Sequence, residues 1–297
     1  MSAQERLDWR RDGGSWPNTA TSRFVTAGGI SWHVQICGRG PTLLLVHGTA
    51  ASTHSWRDVL PRLADQFTVV AMDLPGHAFT RISHGRPNLT PRFMAQSLGT
   101  LLRELGIVAE IAVGHSAGAA LLVEAQLAGV ISPRVIIALN GALLPFRGIG
   151  RHVFPALARV MTLNPLMPDF FAWRARRGHA VRELIESTGS HIDDQGVALY
   201  RRLLADRAHV ASALNMMASW NLESFVRALP SLETPLVLLA ATNDRAVPPD
   251  DAWRVREILK SAVVHRLPGL GHLAHEEQPA RLSELIADIG VRALRPA

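Results

Sequence analysis

Along this chain, short unbroken apolar runs alternate with longer stretches in which apolar residues recur at helical spacing. Residues 22–27 and 30–37 place β-branched and aromatic residues on either side of Gly28-Gly29, which reads as a β-hairpin. Residues 41–46 (PTLLLV) are continuously apolar after the proline, as expected of a strand buried on both faces. Comparable strand runs lie at 67–72, 110–113, 134–139, 235–241 and 262–267. Helical spacing is found over about 56–64, 91–105, 118–128, 250–260 and 280–293. This alternation behind a hairpin predicts an α/β protein with an open, mostly parallel sheet covered by helices on both faces.

The rhythm breaks between residues 142 and 223, where four or more helical periods occur without a buried strand. Such a stretch is far too long for an ordinary connection. The expected organisation is therefore an α/β core of residues 1–141 and 224–297, interrupted by a helical lid over 142–223. No internal repeat or low-complexity run is present.

Composition narrows the class. The chain has 297 residues, 47% hydrophobic and 19% charged, enough to bury a core and too apolar for global disorder. No apolar run approaches the ~20 residues that a membrane-spanning helix needs. The first residues lack the apolar stretch of a secretory signal, so a cytoplasmic location is expected. A single cysteine, Cys37, excludes an internal disulfide framework and any multi-cysteine metal site. Lys260 is the one lysine among 31 basic residues. Between Leu143 and Arg182 lie seven arginines (147, 151, 159, 174, 176, 177 and 182) and one acid, Asp169. That segment carries +6, equal to the formal net charge of the whole chain. No nucleic-acid-binding motif accompanies it, so an anionic small molecule, an acidic partner or a membrane surface fits better.

The sharpest chemical signal is Gly114-His115-Ser116-Ala117-Gly118, which follows a short apolar strand and opens an Ala/Leu-rich helix. That context suits a serine nucleophile held on a tight strand-to-helix turn, where small neighbours are required. A serine hydroxyl needs a base, and the base an orienting acid. Asp244 follows the strand PLVLLAAT, at the carboxyl end where sites form in parallel sheets. The corresponding position after the preceding strand holds Asn140, which cannot stabilise an imidazolium as a carboxylate does. Gly271-His272 follows the last strand and supplies the base. His275 is its rival, expected instead to support the lid or cap the next helix. His272-x-x-His275-Glu276 does not match a zinc motif, so neither metal nor cofactor is expected. The oxyanion donors are expected to be the N–H groups of Ala117 and Thr49, with His47 an anchor of the loop.

Together these motifs resemble the α/β-hydrolase superfamily, in the order serine, acid, histidine. Ser116 stands where haloalkane dehalogenases and epoxide hydrolases carry an aspartate, which excludes those branches. A closer resemblance runs through DGGSWP (12–17), GTAASTHSWR (48–57), DLPGHAFT (73–80), LNGALLPFRG (139–148), TGSHIDDQGVALY (188–200), NMMASWNL (215–222) and LPGLGHLAHEEQP (267–279). These segments are similar to the magnesium-chelatase accessory hydrolases of bacteriochlorophyll biosynthesis clusters (BchO type). Ala50 and Ala78 depart from that pattern, which has glycine there. The resemblance implies hydrolytic chemistry in a tetrapyrrole pathway and magnesium-chelatase subunits as partners.

Apolar lid residues (Phe154, Leu157, Met161, Leu166, Met167, Phe170, Phe171, Trp173, Met216, Met217, Trp220) lie in the same insertion as the arginines. A porphyrin is an apolar disc bearing two propionates, so Phe171, Trp173, Arg174, Arg176, Arg177, Met216 and Trp220 are candidate substrate contacts. The amphipathic stretch over 150–163 is a candidate peripheral membrane contact. Two other readings stay open: a general carboxylesterase or carbon–carbon hydrolase without a pigment role, and a non-catalytic porphyrin-binding or assembly factor on the same fold.

Overall fold

The computed structural model describes residues 6–85, 87–145, 164 and 166–295. Among them, nine strands form one sheet: β1 (Ser22–Ala27), β2 (Ile30–Cys37), β3 (Thr42–Val46), β4 (Thr68–Met72), β5 (Arg81–Ile82), β6 (Ile111–His115), β7 (Val135–Leu139), β8 (Leu236–Ala241) and β9 (Val263–Leu267). Their order is β1-β2-β4-β3-β6-β7-β8-β9, with β5 added beside β2. The hairpin β1–β2 and the β2–β4 pair are antiparallel, and every pairing from β4 through β3 to β9 is parallel. The hairpin turns at Gly28 and Gly29, both with positive φ, as a two-residue turn of this hand requires.

Because side chains alternate along a strand, the apolar runs feed two cores at once. Leu44 and Val46 join Val70, Ala112 and Ile136 under the helices Pro91–Glu104 and Ala117–Leu127. Leu43 and Leu45 join Val69, Val113 and Ile137 under the C-terminal helix Pro279–Leu294. The helix expected over 56–64 is instead a 3-10 turn, Thr53–Trp56, and one short helix, Leu60–Leu63. Ser52 Oγ caps the N–H of His54, and Pro61 has no N–H to continue a helix through it. The strand expected to end at 113 continues to His115, paired with Leu139.

Between β7 and β8 the described residues form the helices Met167–Ala175, Ala180–Ser187, Asp194–Leu204, Arg207–Ala218 and Glu223–Ala228, and no strand. Asp193 and Asp206 cap two of them by accepting backbone N–H groups. Their apolar faces pack on loops at the carboxyl end of the sheet: Val181, Ile185, Val197 and Tyr200 cluster with Ala51 and Leu273. Leu199 and Leu203 cluster with Leu7, Trp16, Ala78 and Phe79.

Candidate active site

Ser116 sits between β6 and the helix Ala117–Leu127 with φ 52° and ψ −119°, a backbone region that L-residues avoid. The strain is held from both sides. Ser116 N–H donates to Leu139 O at 3.0 Å, while Ser116 O accepts from Ala142 N at 3.0 Å and Ala119 N at 3.2 Å. The flanking glycines are needed for close approach. A Cβ at Gly114 would strike the backbone of Ala119, and one at Gly118 would overlap the carbonyl oxygen of Val46. A Cβ added to Gly48 would lie 3.0 Å from Ser116 Cβ, so the loop after β3 passes directly over the serine.

The loops after β8 and β9 bring the other two candidates together. His272 Nδ1 lies 2.8 Å from Asp244 Oδ2, with both side chains largely out of solvent. The carboxylate is fixed by its second oxygen, Oδ1, which accepts the N–H groups of Ala246 (2.8 Å) and Val247 (2.9 Å). An accepting carboxylate at Nδ1 keeps the proton on that nitrogen and turns the lone pair of Nε2 outward as a base. Asn140 turns out to serve this pair differently from an acid. Its Nδ2 donates to His272 O (2.8 Å) and Gly271 O (3.1 Å), and its Oδ1 accepts from Ala241 N (2.8 Å).

On the opposite side of the serine stands the loop 47–52. His47 Nδ1 donates to Gly48 O at 2.7 Å and its Nε2 accepts from Leu74 N at 2.9 Å, so both nitrogens are committed. Burial, reinforced by the neighbouring His77 ring, pushes its pKa down to about 3. It is a neutral strut. Thr49 Oγ1 donates to Met216 Sδ at 3.5 Å. Among the described residues, the N–H groups of Thr49 and Ala117 have no protein acceptor.

Two features have no signal at the sequence level. His209, on Arg207–Ala218, accepts from Ala78 N at Nδ1 (3.0 Å) and donates to Ala50 O from Nε2 (3.1 Å). Those two alanines have φ of 60° (Ala50) and 40° (Ala78), the left-handed region that glycine tolerates best. One imidazole thus braces both departures from the glycine pattern. The second feature is a buried cluster. Arg57 pairs with Glu276 and lies 3.1 Å from Asp193, while Tyr200 OH donates to Glu276 at 2.8 Å. It ties the insertion to the loop that carries His272.

His275 is corrected by the structure. Among the described residues its ring nitrogens have no hydrogen-bond partner, so it caps no helix there; its ring is fully buried, 4.5 Å from Trp56 and 4.6 Å from His115 between ring centroids. Of the candidate substrate contacts, Met216 reaches the loop 47–52 and Trp220 packs half-buried against the core. Phe171 is half-buried, and Trp173, Arg174, Arg176 and Arg177 face outward. Arg177 stacks 4.3 Å over the Trp173 ring, Arg176 donates to Ala205 O at 2.7 Å, and Arg174 lies 3.7 Å from Glu183. Arg147, Arg151, Phe154, Leu157, Arg159, Met161 and the stretch 150–163 lie outside the described residues. No group of three or more potential metal ligands occurs among the described residues.

A family model described as the alpha/beta hydrolase family matches residues 43–285. The chain is 37% identical over 95% of its length to the magnesium-chelatase 30 kDa subunit of Rhodobacter capsulatus, covering 99% of that protein. Among solved structures, an alpha/beta hydrolase fold protein from Burkholderia ambifaria matches with a TM-score of 0.75 at 21% identity, over 90% of this chain and 97% of that one. A thermophilic esterase from Thermogutta terrifontis matches with a TM-score of 0.73 at 21% identity, over 92% and 99%. The strand order, the strained serine turn and these likenesses agree: the chain belongs to the alpha/beta hydrolase family.

Proposed function

We propose that the protein is a serine hydrolase acting on an ester or similar acyl bond in bacteriochlorophyll biosynthesis, close to the magnesium-chelation step. The observation that carries the chemistry is the His272–Asp244 pair at 2.8 Å, taken together with a serine on a strained turn. In the reaction, His272 Nε2 takes the Ser116 proton as Oγ attacks the acyl carbon. Asp244 stabilises the imidazolium, and the N–H groups of Thr49 and Ala117 receive the charge on the acyl oxygen. The imidazolium returns its proton to the leaving group, and water then releases the acyl group by the same steps in reverse order.

The pathway assignment draws on the Rhodobacter capsulatus relative, whose name also makes chelatase subunits the partners proposed here. A cavity of about 530 Å³ lies between residues 76–89 and the helix Arg207–Ala218, large enough for a sizeable ligand, although none of Ser116, Asp244, His272, Thr49 and Ala117 is among its lining residues. Ile82, Leu89 and Leu214 give it apolar walls, and Arg6 and Arg207 line it too. Residues 142–223 would then act as the lid. A fluorophosphonate probe should label the wild-type protein once, at Ser116, and leave Ser116→Ala unlabelled. A folded wild type that resists labelling would overturn the catalytic reading and favour porphyrin carriage on a hydrolase fold.

The proposed location is the cytoplasm, at the membrane surface. No helix among the described residues is long and apolar enough to cross a bilayer. Leu166, just before the helix Met167–Ala175, and Phe170 and Trp173 on it follow helical spacing and are 68%, 51% and 43% exposed, with Arg177 stacked over Trp173. Aromatic and arginine side chains in that arrangement suit an anionic lipid interface. Co-sedimentation with phosphatidylglycerol vesicles should fall about 10-fold in Phe170→Glu/Trp173→Glu. Equal binding by both proteins would remove this face from the account.

A further inference from the structure

His272 is held by its backbone as much as by Asp244, and one of the holding groups comes from the insertion. The helix Ala180–Ser187 ends in a segment, residues 188–190, threaded between the Asp244 loop and the His272 loop. Thr188 O accepts the N–H of Arg245 at 3.0 Å. Gly189 has φ 84°, and a Cβ there would overlap the carbonyl oxygen of Asn243. A Cβ at Gly271 would in turn overlap the carbonyl oxygen of Gly189. The three loops are therefore in backbone contact, with no room for a side chain between them.

Ser190 lies at the end of this segment and is fully buried. Its Oγ accepts the N–H of Leu273 at 2.8 Å. On the other flank of the histidine, Glu277 Oε1 accepts the N–H of Gly271 at 2.9 Å. Ser190 Oγ also accepts from Thr188 Oγ1 at 3.2 Å, within the same segment. The carbonyl of His272 accepts from Asn140 Nδ2 and from His115 Nε2, at 2.8 and 2.9 Å. The N–H groups of Gly271 and Leu273 and the carbonyls of Gly271 and His272 thus have fixed partners, and among those partners Ser190 is the one that belongs to the insertion.

We propose that Ser190 is a positioning residue: through the Leu273 amide it sets the orientation of His272 toward Ser116, so that the insertion forms part of the acid–base apparatus. The proposal rests on His272 being the base. Displacing the insertion pulls residues 188–190 away from both loops and releases the base, whatever happens to access from solvent. A misoriented base slows proton transfer while leaving substrate binding intact.

The test uses Ser190→Ala with p-nitrophenyl acetate, together with NMR of histidine-labelled protein. Expected are a kcat about 10-fold lower, a KM within 2-fold of wild type, a displaced acid limb of the kcat/KM profile, and loss or broadening of the His272 Nδ1–H resonance. A purely structural role would lower the amplitude of the profile and leave the limb and the resonance in place; that result overturns the proposal. If Ser190→Ala does not fold, Ser190→Cys keeps a side chain in the same space but offers only a weakly accepting sulfur to the Leu273 N–H, and it should shift the same two readouts. Failure of the catalytic reading would show separately, as a wild type unlabelled by the fluorophosphonate, and the NMR comparison would still decide the role of Ser190.

Discussion

Ser116→Ala is expected to lower hydrolysis of an activated ester by at least ~10³-fold, with a melting temperature within a few degrees of wild type. Alanine occupies the same backbone as serine, so the strain at φ 52° and the hydrogen bonds to Leu139, Ala119 and Ala142 are unchanged. What disappears is the attacking oxygen. His272→Ala should cost a similar factor. Asp244→Asn should as well, because the amide no longer holds the proton on His272 Nδ1 although its oxygen can still accept from the turn at Ala246 and Val247. Combining two of these changes should cost little more than one, since the three groups act as a unit. Steady-state rates and circular dichroism on the same preparations check this. Wild-type rates in folded Ser116→Ala would sink the mechanism.

The second large effect is on stability in acid. Burial holds six imidazoles neutral: His47, His77 and His275 with pKa values pushed down to about 3, His209 to about 4, and His54 and His115 well below their ordinary range. In the unfolded chain each ionises near 6.5. Below that pH the unfolded state takes up protons that the folded state refuses, so stability falls as pH drops from 6.5 toward 3. Glu276 works in the opposite sense. Burial raises it to about 7 despite the Arg57 guanidinium, so its contribution is present below about 4.5 and is lost as pH rises through 7. It offsets about one histidine. Each net proton is worth about 1.4 kcal/mol per pH unit, against a whole-domain stability of about 5–15 kcal/mol. Urea midpoints should therefore fall steeply from pH 6.5 to 5, with unfolding complete above about pH 4. His209→Gln, whose amide can accept from Ala78 and donate to Ala50, should make the dependence shallower by about one proton. Constant midpoints between pH 7.5 and 4.5 would contradict this account.

The parts legible in the sequence are those where one local requirement dominates. The run Thr42–Val46 is apolar at four of five positions because both faces are covered, and that pattern has few other meanings. Ser116 was readable because a turn so tight admits only small neighbours. Asp244 and His272 followed from their places after strands, and the structure sets them side by side. Less legible was anything decided by long-range contact. His275 and His272 are three residues apart and chemically identical, yet one ring packs on Trp56 and the other on Asp244. Arg174, Arg176 and Arg177 look like a ligand cluster as a string, but the backbone turns them outward to Glu183, Ala205 and Trp173. His209 and Ser190 act across 131 and 83 residues respectively, distances over which no local pattern carries information.

Asn140 bears on how this site can change over evolutionary time. Its amide nitrogen gives hydrogens to the carbonyls of Gly271 and His272, and its oxygen receives one from Ala241. An ionised aspartate has acceptors only, so at this position it would face two carbonyl oxygens with nothing to donate. The carboxylate cannot migrate from the end of β8 to the end of β7 by a single substitution without first rebuilding the histidine loop. The polarity of one amide thereby makes the choice of strand for the acid close to irreversible in this lineage.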